Sequence, residues 1–163
     1  MIVEAPLLEL AADVLDRCRQ QGLRLATAES CTGGLIAGCL TAVAGSSLVF
    51  DRGFVTYSNT AKTAELGVPA DLLAARGAVN EAVARAMAEG ALAAAGLDVT
   101  VAVTGIAGPD GGSPGKPVGL VHFAAARSGC DTLHERHVFA GDRQQVRSAT
   151  VEAALHLLLR RVS

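Results

Sequence analysis

A chain of 163 residues is the size of one domain, and with half of its residues hydrophobic and 18% charged it is not disordered as a whole. Sixteen acidic residues against fourteen basic ones leave a net charge of −2, and aromatics make up 3%. That balance excludes a basic surface tracking a nucleic-acid backbone and provides few stacking platforms for single strands. The 31 alanines imply a core of small side chains, suited to helices lying close on a sheet. The four cysteines, Cys18, Cys31, Cys39 and Cys130, form no CxxC pair and no zinc-spaced cluster, so they read as reduced thiols in a cytoplasmic protein. The opening MIVEAPLLEL has an early Glu and no basic stretch, unlike a signal peptide.

Leu7, Leu8, Leu10, Ala11, Val14, Leu15 and Cys18 recur at helical spacing over residues 6–20, with Gly22 as a stop. Residues 23–28 read as a short strand and 32–43 as a helix entered directly after Ser30 and Cys31. The run from Ser30 to Phe50 carries no charge over 21 residues, long enough to cross a bilayer, but its four glycines and its Ser and Thr content favour a buried helix followed by a turn. Residues 48–58 are β-rich and broken around Asp51, Arg52 and Gly53, giving two short strands or one with a bulge. Asn59 or Thr60 caps a short helix holding Lys62, and residues 71–75 form another turn. Asn80 caps a helix over 81–95 that ends at Gly96.

The apolar run 99–103 predicts a central strand covered on both faces, and it empties into TGIAGPDGGSPGKP. Residues 118–126 and 132–140 predict a hairpin, and Asp142 starts a final helix. The alternation with one hairpin predicts an α/β fold, a three-layer α/β/α sandwich with a mixed sheet, in a single domain over 1–163. Ligands in such folds sit where strand ends meet helix starts.

Four segments carry candidate chemistry. Ser30-Cys31-Thr32-Gly33-Gly34 lies between a strand and a helix start, where unpaired N–H groups and a positive dipole end assist a nucleophile or an oxyanion. Cys31 is the stronger intrinsic nucleophile, but no sequence pattern ties His122, His134, His137 or His156 to it. Tyr57-Ser58-Asn59-Thr60-Ala61-Lys62 provides a lysine of the kind that serves as base in Ser-Lys hydrolases. An ordinary lysine is neutral in about one molecule in 2,500 at pH 7, and bringing its pKa to roughly 7.5 means destabilising the ammonium by about 4 kcal/mol. A base at Lys62 must therefore be buried. Thr104-Gly105-Ile106-Ala107-Gly108 follows the apolar strand and suits an anion or oxyanion, although it matches neither a Walker A loop nor GxGxxG. Arg143 enters the first turn of the final helix, a placement favoured where an anion shares the site, and Arg147 follows one turn later.

Taken in order, ESCTGG, YSNTAK, GAVNEAVARAMAEGA, VAVTGIAGPDGG with KPVG, and GDRQQVR resemble the CinA C-terminal family of nicotinamide-nucleotide amidohydrolases over about residues 6–160. The resemblance implies an α/β/α sandwich that hydrolyses the carboxamide of nicotinamide mononucleotide to nicotinate mononucleotide and ammonia, in pyridine nucleotide recycling, without metal or cofactor. It implies Ser30 as nucleophile, Tyr57 and Lys62 as proton-handling partners, and Thr104 and Arg143 on the substrate amide or the oxyanion. Cys31 and Thr32 would offer backbone N–H groups, and Gly33, Gly34, Gly105 and Gly108 would shape the pocket and phosphate site. A homodimer with no nucleic-acid or membrane partner, in the stand-alone form of the family, is implied as well. The chain departs from the family pattern at Asn80, where a Ser is usual, and at Arg52-Gly53, where Gly-Gly is usual. Two other readings predict no turnover: a nucleotide-phosphate binding module, which an exposed Lys62 would favour, and a competence- or damage-related interaction protein.

Overall fold

The computed structural model describes residues 4–163, so the reading of the first three residues lies outside it. The helices are α1 (Ala5–Gln20), α2 (Leu35–Thr41), α3 (Asn59–Leu66), α4 (Ala70–Arg76), α5 (Glu81–Ala95) and α6 (Arg143–Val162). The strands are β1 (Leu25–Glu29), β2 (Phe50–Val55), β3 (Val99–Gly105), β4 (Leu120–Arg127) and β5 (Leu133–Val138). They form one sheet in the order β2-β1-β3-β4-β5, with β1 parallel to both β2 and β3, and β4 and β5 antiparallel to their neighbours. The sheet is mixed, as the hairpin near the C-terminus predicts.

Alternation along the strands divides the core in two. Leu25, Val99, Val101, Val103, Val121 and Phe123 face α1, α2 and α6, whereas Ala28, Ala102, Ala124 and Ala126 face α3, α4 and α5. Alanine on that second face lets α5 approach closely, and Thr100 donates its hydroxyl to Ala88 O on the helix at 2.7 Å. A Cβ added to Gly90 would lie 1.9 Å from Leu66 O, so glycine is required where α5 crosses the end of α3.

The elements match the sequence expectations closely at α5, capped by the Asn80 side chain at Val83 N, and at α6, capped by Asp142 with Gln145 returning the bond. Asn80 thus does the capping work of the Ser usual in the family. The interrupted segment over 48–58 is a single strand whose register shifts opposite Leu25/Ala26. The uncharged run from Ser30 to Phe50 is a turn, the short helix α2, a 3-10 turn (Ser46–Leu48) and the start of β2. Among the described residues no helix is long and apolar enough to cross a membrane. The helix expected from residue 32 starts at Leu35, because Gly33 (φ +61°) and Gly34 (φ +99°) turn the chain in the left-handed region first.

Candidate functional site

The carboxyl ends of the three parallel strands converge. Ser30 follows β1, Tyr57 follows β2, and Thr104 and Gly105 close β3. Over them lies a cavity of about 310 Å³, lined also by Cys31, Asn59, Lys62, Gly108, Asp110 and Arg143. This is within the range of small-ligand sites. Two larger hollows lie elsewhere, between α3 and α4 and between α1 and α6, and neither includes Ser30 or Lys62.

At the cavity floor Lys62 Nζ stands 3.0 Å from Ser30 Oγ and donates to Thr56 O at 2.8 Å. Its placement follows from local sequence: the Ser58 side chain caps α3 at Ala61 N, a role expected of Asn59 or Thr60, and Lys62 then sits on the inward side of that first turn. Only 1% of Lys62 is exposed, and among the described residues no carboxylate lies within ion-pair distance of it. Burial therefore pushes its pKa down from the ordinary lysine value. In the neutral form the amine lone pair faces the Ser30 hydroxyl, which then donates to it.

Cys31 is buried, and its thiol is pushed up to about 12 by desolvation, so it stays protonated at neutral pH and is a poor nucleophile beside Ser30. No histidine lines the cavity. His122 and His134 face each other instead, Nδ1 to Nε2 at 3.0 Å, on β4 and β5.

The Ser30 turn is held from both sides. Its first side is Glu29, fully buried at the end of β1, whose carboxylate accepts from Thr32 Oγ1 at 2.6 Å, Gly34 N at 3.1 Å, Ile36 N at 3.0 Å and Ala37 N at 2.8 Å. The α2 N-terminus, expected to be open to an anion, is thus filled by the protein's own carboxylate. Thr32, Gly33 and Gly34 accordingly lie outside the cavity lining: the threonine hydroxyl serves Glu29 and the glycines make the turn. On the other side Arg147 donates Nε to Cys31 O at 3.1 Å and Nη2 to Thr32 O at 2.9 Å. The turn closes from Gly33 N to Ser30 O, and the Cys31 N–H lies against the residue's own thiol.

Arg143 bridges the mouth, donating Nη1 to Gly108 O at 2.9 Å and Nη2 to the Tyr57 hydroxyl at 3.0 Å. Tyr57 is 61% exposed, and its hydroxyl has no hydrogen bond to Ser30 or Lys62. Thr104 is buried and donates to Ala78 O at 2.8 Å, fixing the wall before α5. Gly105 and Gly108 leave room for the returning strand: a Cβ on Gly105 would meet Leu120 O at 2.8 Å, and one on Gly108 would meet Val118 Cγ1 at 2.5 Å.

Glu29, Arg147 and Asp110 have no assigned role in the sequence reading, and Asn59, expected as a helix cap, lines the cavity instead. Glu29 stands within the ESCTGG segment, but a carboxylate at a strand end reads the same whether it faces a helix or water. Arg147 has the spacing signal of one helical turn from Arg143.

Fold and site together define an α/β/α protein with a half-buried serine against a buried lysine at the floor of a ligand-sized cavity. The sequence model of the CinA C-terminal domain matches residues 7–162, and the chain belongs to that family. A CinA-like protein of Citrifermentans bemidjiense is 59% identical over 142 residues, covering 87% of this chain and 34% of that protein. One of Geobacter sulfurreducens is 58% identical over 145 residues, covering 88% and 35%. The chain therefore spans about a third of the length of the curated relatives it matches. The solved structure of the competence/damage inducible protein CihA of Agrobacterium tumefaciens is 48% identical, covers 98% of both chains and superposes with a TM-score of 0.95. The competence damage-inducible protein A (ComA) of Klebsiella pneumoniae is 44% identical over 95% of this chain and 96% of that one, with a TM-score of 0.91.

Proposed function

We propose that the chain hydrolyses the carboxamide of nicotinamide mononucleotide to nicotinate mononucleotide and ammonia, with Ser30 as nucleophile and Lys62 as its base. The observation that carries this reading is Lys62 Nζ, 1% exposed and without a carboxylate partner among the described residues, at 3.0 Å from Ser30 Oγ. Neutral Lys62 takes the Ser30 proton as Oγ bonds to the carboxamide carbon. The resulting oxyanion accepts from the N–H of Cys31, the neighbour of Ser30 that also lines the cavity. As the tetrahedral intermediate collapses, the lysine ammonium returns the proton to the amide nitrogen, ammonia leaves, and an ester on Ser30 remains. Water adds to that ester with Lys62 again taking the proton, and the acid is released as Ser30 is reprotonated.

Arg143 brings a cation to the mouth and suits the substrate phosphate. Tyr57 holds Arg143 in place in this scheme, with proton transfer running directly between Ser30 and Lys62. The working unit is taken as a homodimer, which light scattering of the purified chain checks. A nucleotide-phosphate binding module or a competence-related interaction protein needs no buried base, and the burial of Lys62 favours catalysis over both.

The deciding experiment measures ammonia and nicotinate mononucleotide released from nicotinamide mononucleotide by chelator-treated protein, beside Ser30→Ala. Turnover by the wild type and none by the folded variant is the expected result. A folded wild type that releases neither product overturns the reading.

A further inference from the structure

We infer that Asp110 is the residue by which the cavity selects a positively charged pyridinium ring over a neutral one, an inference that rests on the nucleotide reading of the same site. Three charged side chains line the cavity: Lys62, Arg143 and Asp110. Lys62 is engaged on the floor with Ser30 Oγ and Thr56 O. Arg143 and Asp110 are both exposed. Arg143 directs its donors to neutral acceptors, Gly108 O at 2.9 Å and the Tyr57 hydroxyl at 3.0 Å. Among the described residues no ion pair joins it to Asp110, and neither residue pairs with any other charge. One cavity thus presents a cation and an anion that the protein does not neutralise, the complement of a zwitterionic ligand.

The loop that carries Asp110 is fixed at its base and at its tip. Ile106 N donates to Leu120 O at 2.9 Å and Gly119 N to Ile106 O at 2.8 Å, which closes the connection between β3 and β4. Ser113 and Lys116 exchange main-chain bonds at the tip, where Lys116 Nζ donates to Arg76 O and not to Asp110. Between them, the carbonyl two residues before Asp110 is the one held by Arg143. The guanidinium that carries the positive charge therefore also anchors the segment that carries the negative one.

Nicotinamide mononucleotide is a zwitterion, with a quaternary ring nitrogen and an anionic phosphate. Its reduced 1,4-dihydropyridine form keeps the ribose, phosphate and carboxamide but has a neutral ring. Arg143 meets the phosphate of both forms, whereas Asp110 meets a charge in the oxidised form only. Because Asp110 is exposed, the resulting preference is modest and sensitive to salt.

The test measures binding of the oxidised and the reduced mononucleotide by calorimetry in a Ser30→Ala background, which keeps the three charges in place without turnover. The oxidised form binds about fivefold to tenfold more tightly in that background. Added Asp110→Asn brings the two affinities to within about twofold by weakening the oxidised form alone, and Asp110→Lys reverses the order. Added salt narrows the preference in the Ser30→Ala protein and leaves the Asp110→Asn ratio unmoved.

An oxidised-to-reduced ratio that Asp110→Asn does not change overturns the inference. Equal weakening of both forms overturns it too, since that result assigns Asp110 to the ribose hydroxyls they share or to the shape of the loop. A Ser30→Ala protein that binds neither form overturns it as well. A wild type that hydrolyses no carboxamide, beside a charge preference that depends on Asp110, defeats the amidase reading and leaves the inference standing. Turnover by the wild type with an unchanged ratio in Asp110→Asn does the reverse.

Discussion

Lys62 carries a hydrocarbon stem and an amine into the interior with no counter-ion among the described residues. Burial of such a group favours the neutral amine, which is also the form that can accept a proton. Lys62→Met and Lys62→Arg should each lower kcat by 10²-fold or more, the second because a guanidinium does not deprotonate in a protein. In the wild type kcat should rise with pH through a pKa below the usual lysine value, since desolvation lowers it; a profile whose rise sits at the ordinary value of 10.5 would contradict the assignment. Tyr57→Phe distinguishes the partners: among the described residues its hydroxyl bonds only Arg143, so the variant should keep kcat within about tenfold and raise KM for the nucleotide. A loss as large as that of Lys62→Met would put the phenol in the proton path. Ser30, Thr104 and Arg143 can be placed from the sequence because each sits at a strand end or a helix start, and the structure brings them with Lys62 round one cavity. That Lys62 points inward was not legible, since burial of one lysine depends on what packs over its helix.

Helix α2 shows how a local element depends on a distant charge. It is seven residues long, too short for propensity alone to sustain, and no side chain of its own caps it. Its N–H groups are satisfied by Glu29, whose Oε2 receives Thr32 Oγ1, Gly34 N and Ile36 N while Oε1 receives Ala37 N. Replacing Glu29 by Gln sets an amide NH₂ against those donors, leaving one or more buried groups unpaired and removing the charge. Glu29→Gln should cost about 2–4 kcal/mol, read as a lower urea midpoint at unchanged m-value, with activity falling because Ser30 sits one residue away. A midpoint equal to that of the wild type would mean that α2 does not rely on this carboxylate. Elements with their own caps and stripes were legible, α5 at both ends and α6 at its start. The start of α2 was not, because its cap comes from the preceding strand across a turn of two left-handed glycines. Likewise β2 lies beside β1 only because Gly53 has no Cβ, which would stand 2.9 Å from Thr27 Oγ1 and 3.1 Å from Ala37 Cβ. Arg52 next to it points out and pairs with Asp51, so this departure from the family pattern does not disturb the contact.

Across the whole molecule the sheet has the Ser30–Lys62 cavity at the end of its parallel half and a histidine pair on its antiparallel half. His122 lies in register with Thr104 on β3, and with Arg136 on β5. Facing the pair are Glu81 and Arg85 from α5, Glu135 and Arg136 from β5, and Lys116 from the long loop. Burial, then the neighbouring His134, hold His122 at about 4, against 6.5 for an ordinary histidine, and His134 is lowered as well, again chiefly by burial. A depressed histidine stays neutral in the fold while the unfolded chain takes up a proton. The unfolded state thus binds more protons between about pH 6.5 and about 4, and stability falls as pH is lowered through that window. For His122 alone the full effect is on the order of 3 kcal/mol, reached below the lower value. Urea midpoints at pH 7 and pH 4.5 measure it. The wild type should lose more stability between these two conditions than His122→Gln, which has no proton to gain at that position. Equal losses in the two proteins would show that the pair titrates in the fold as it does in the unfolded chain, and that the acid sensitivity of the sheet arises from its carboxylates.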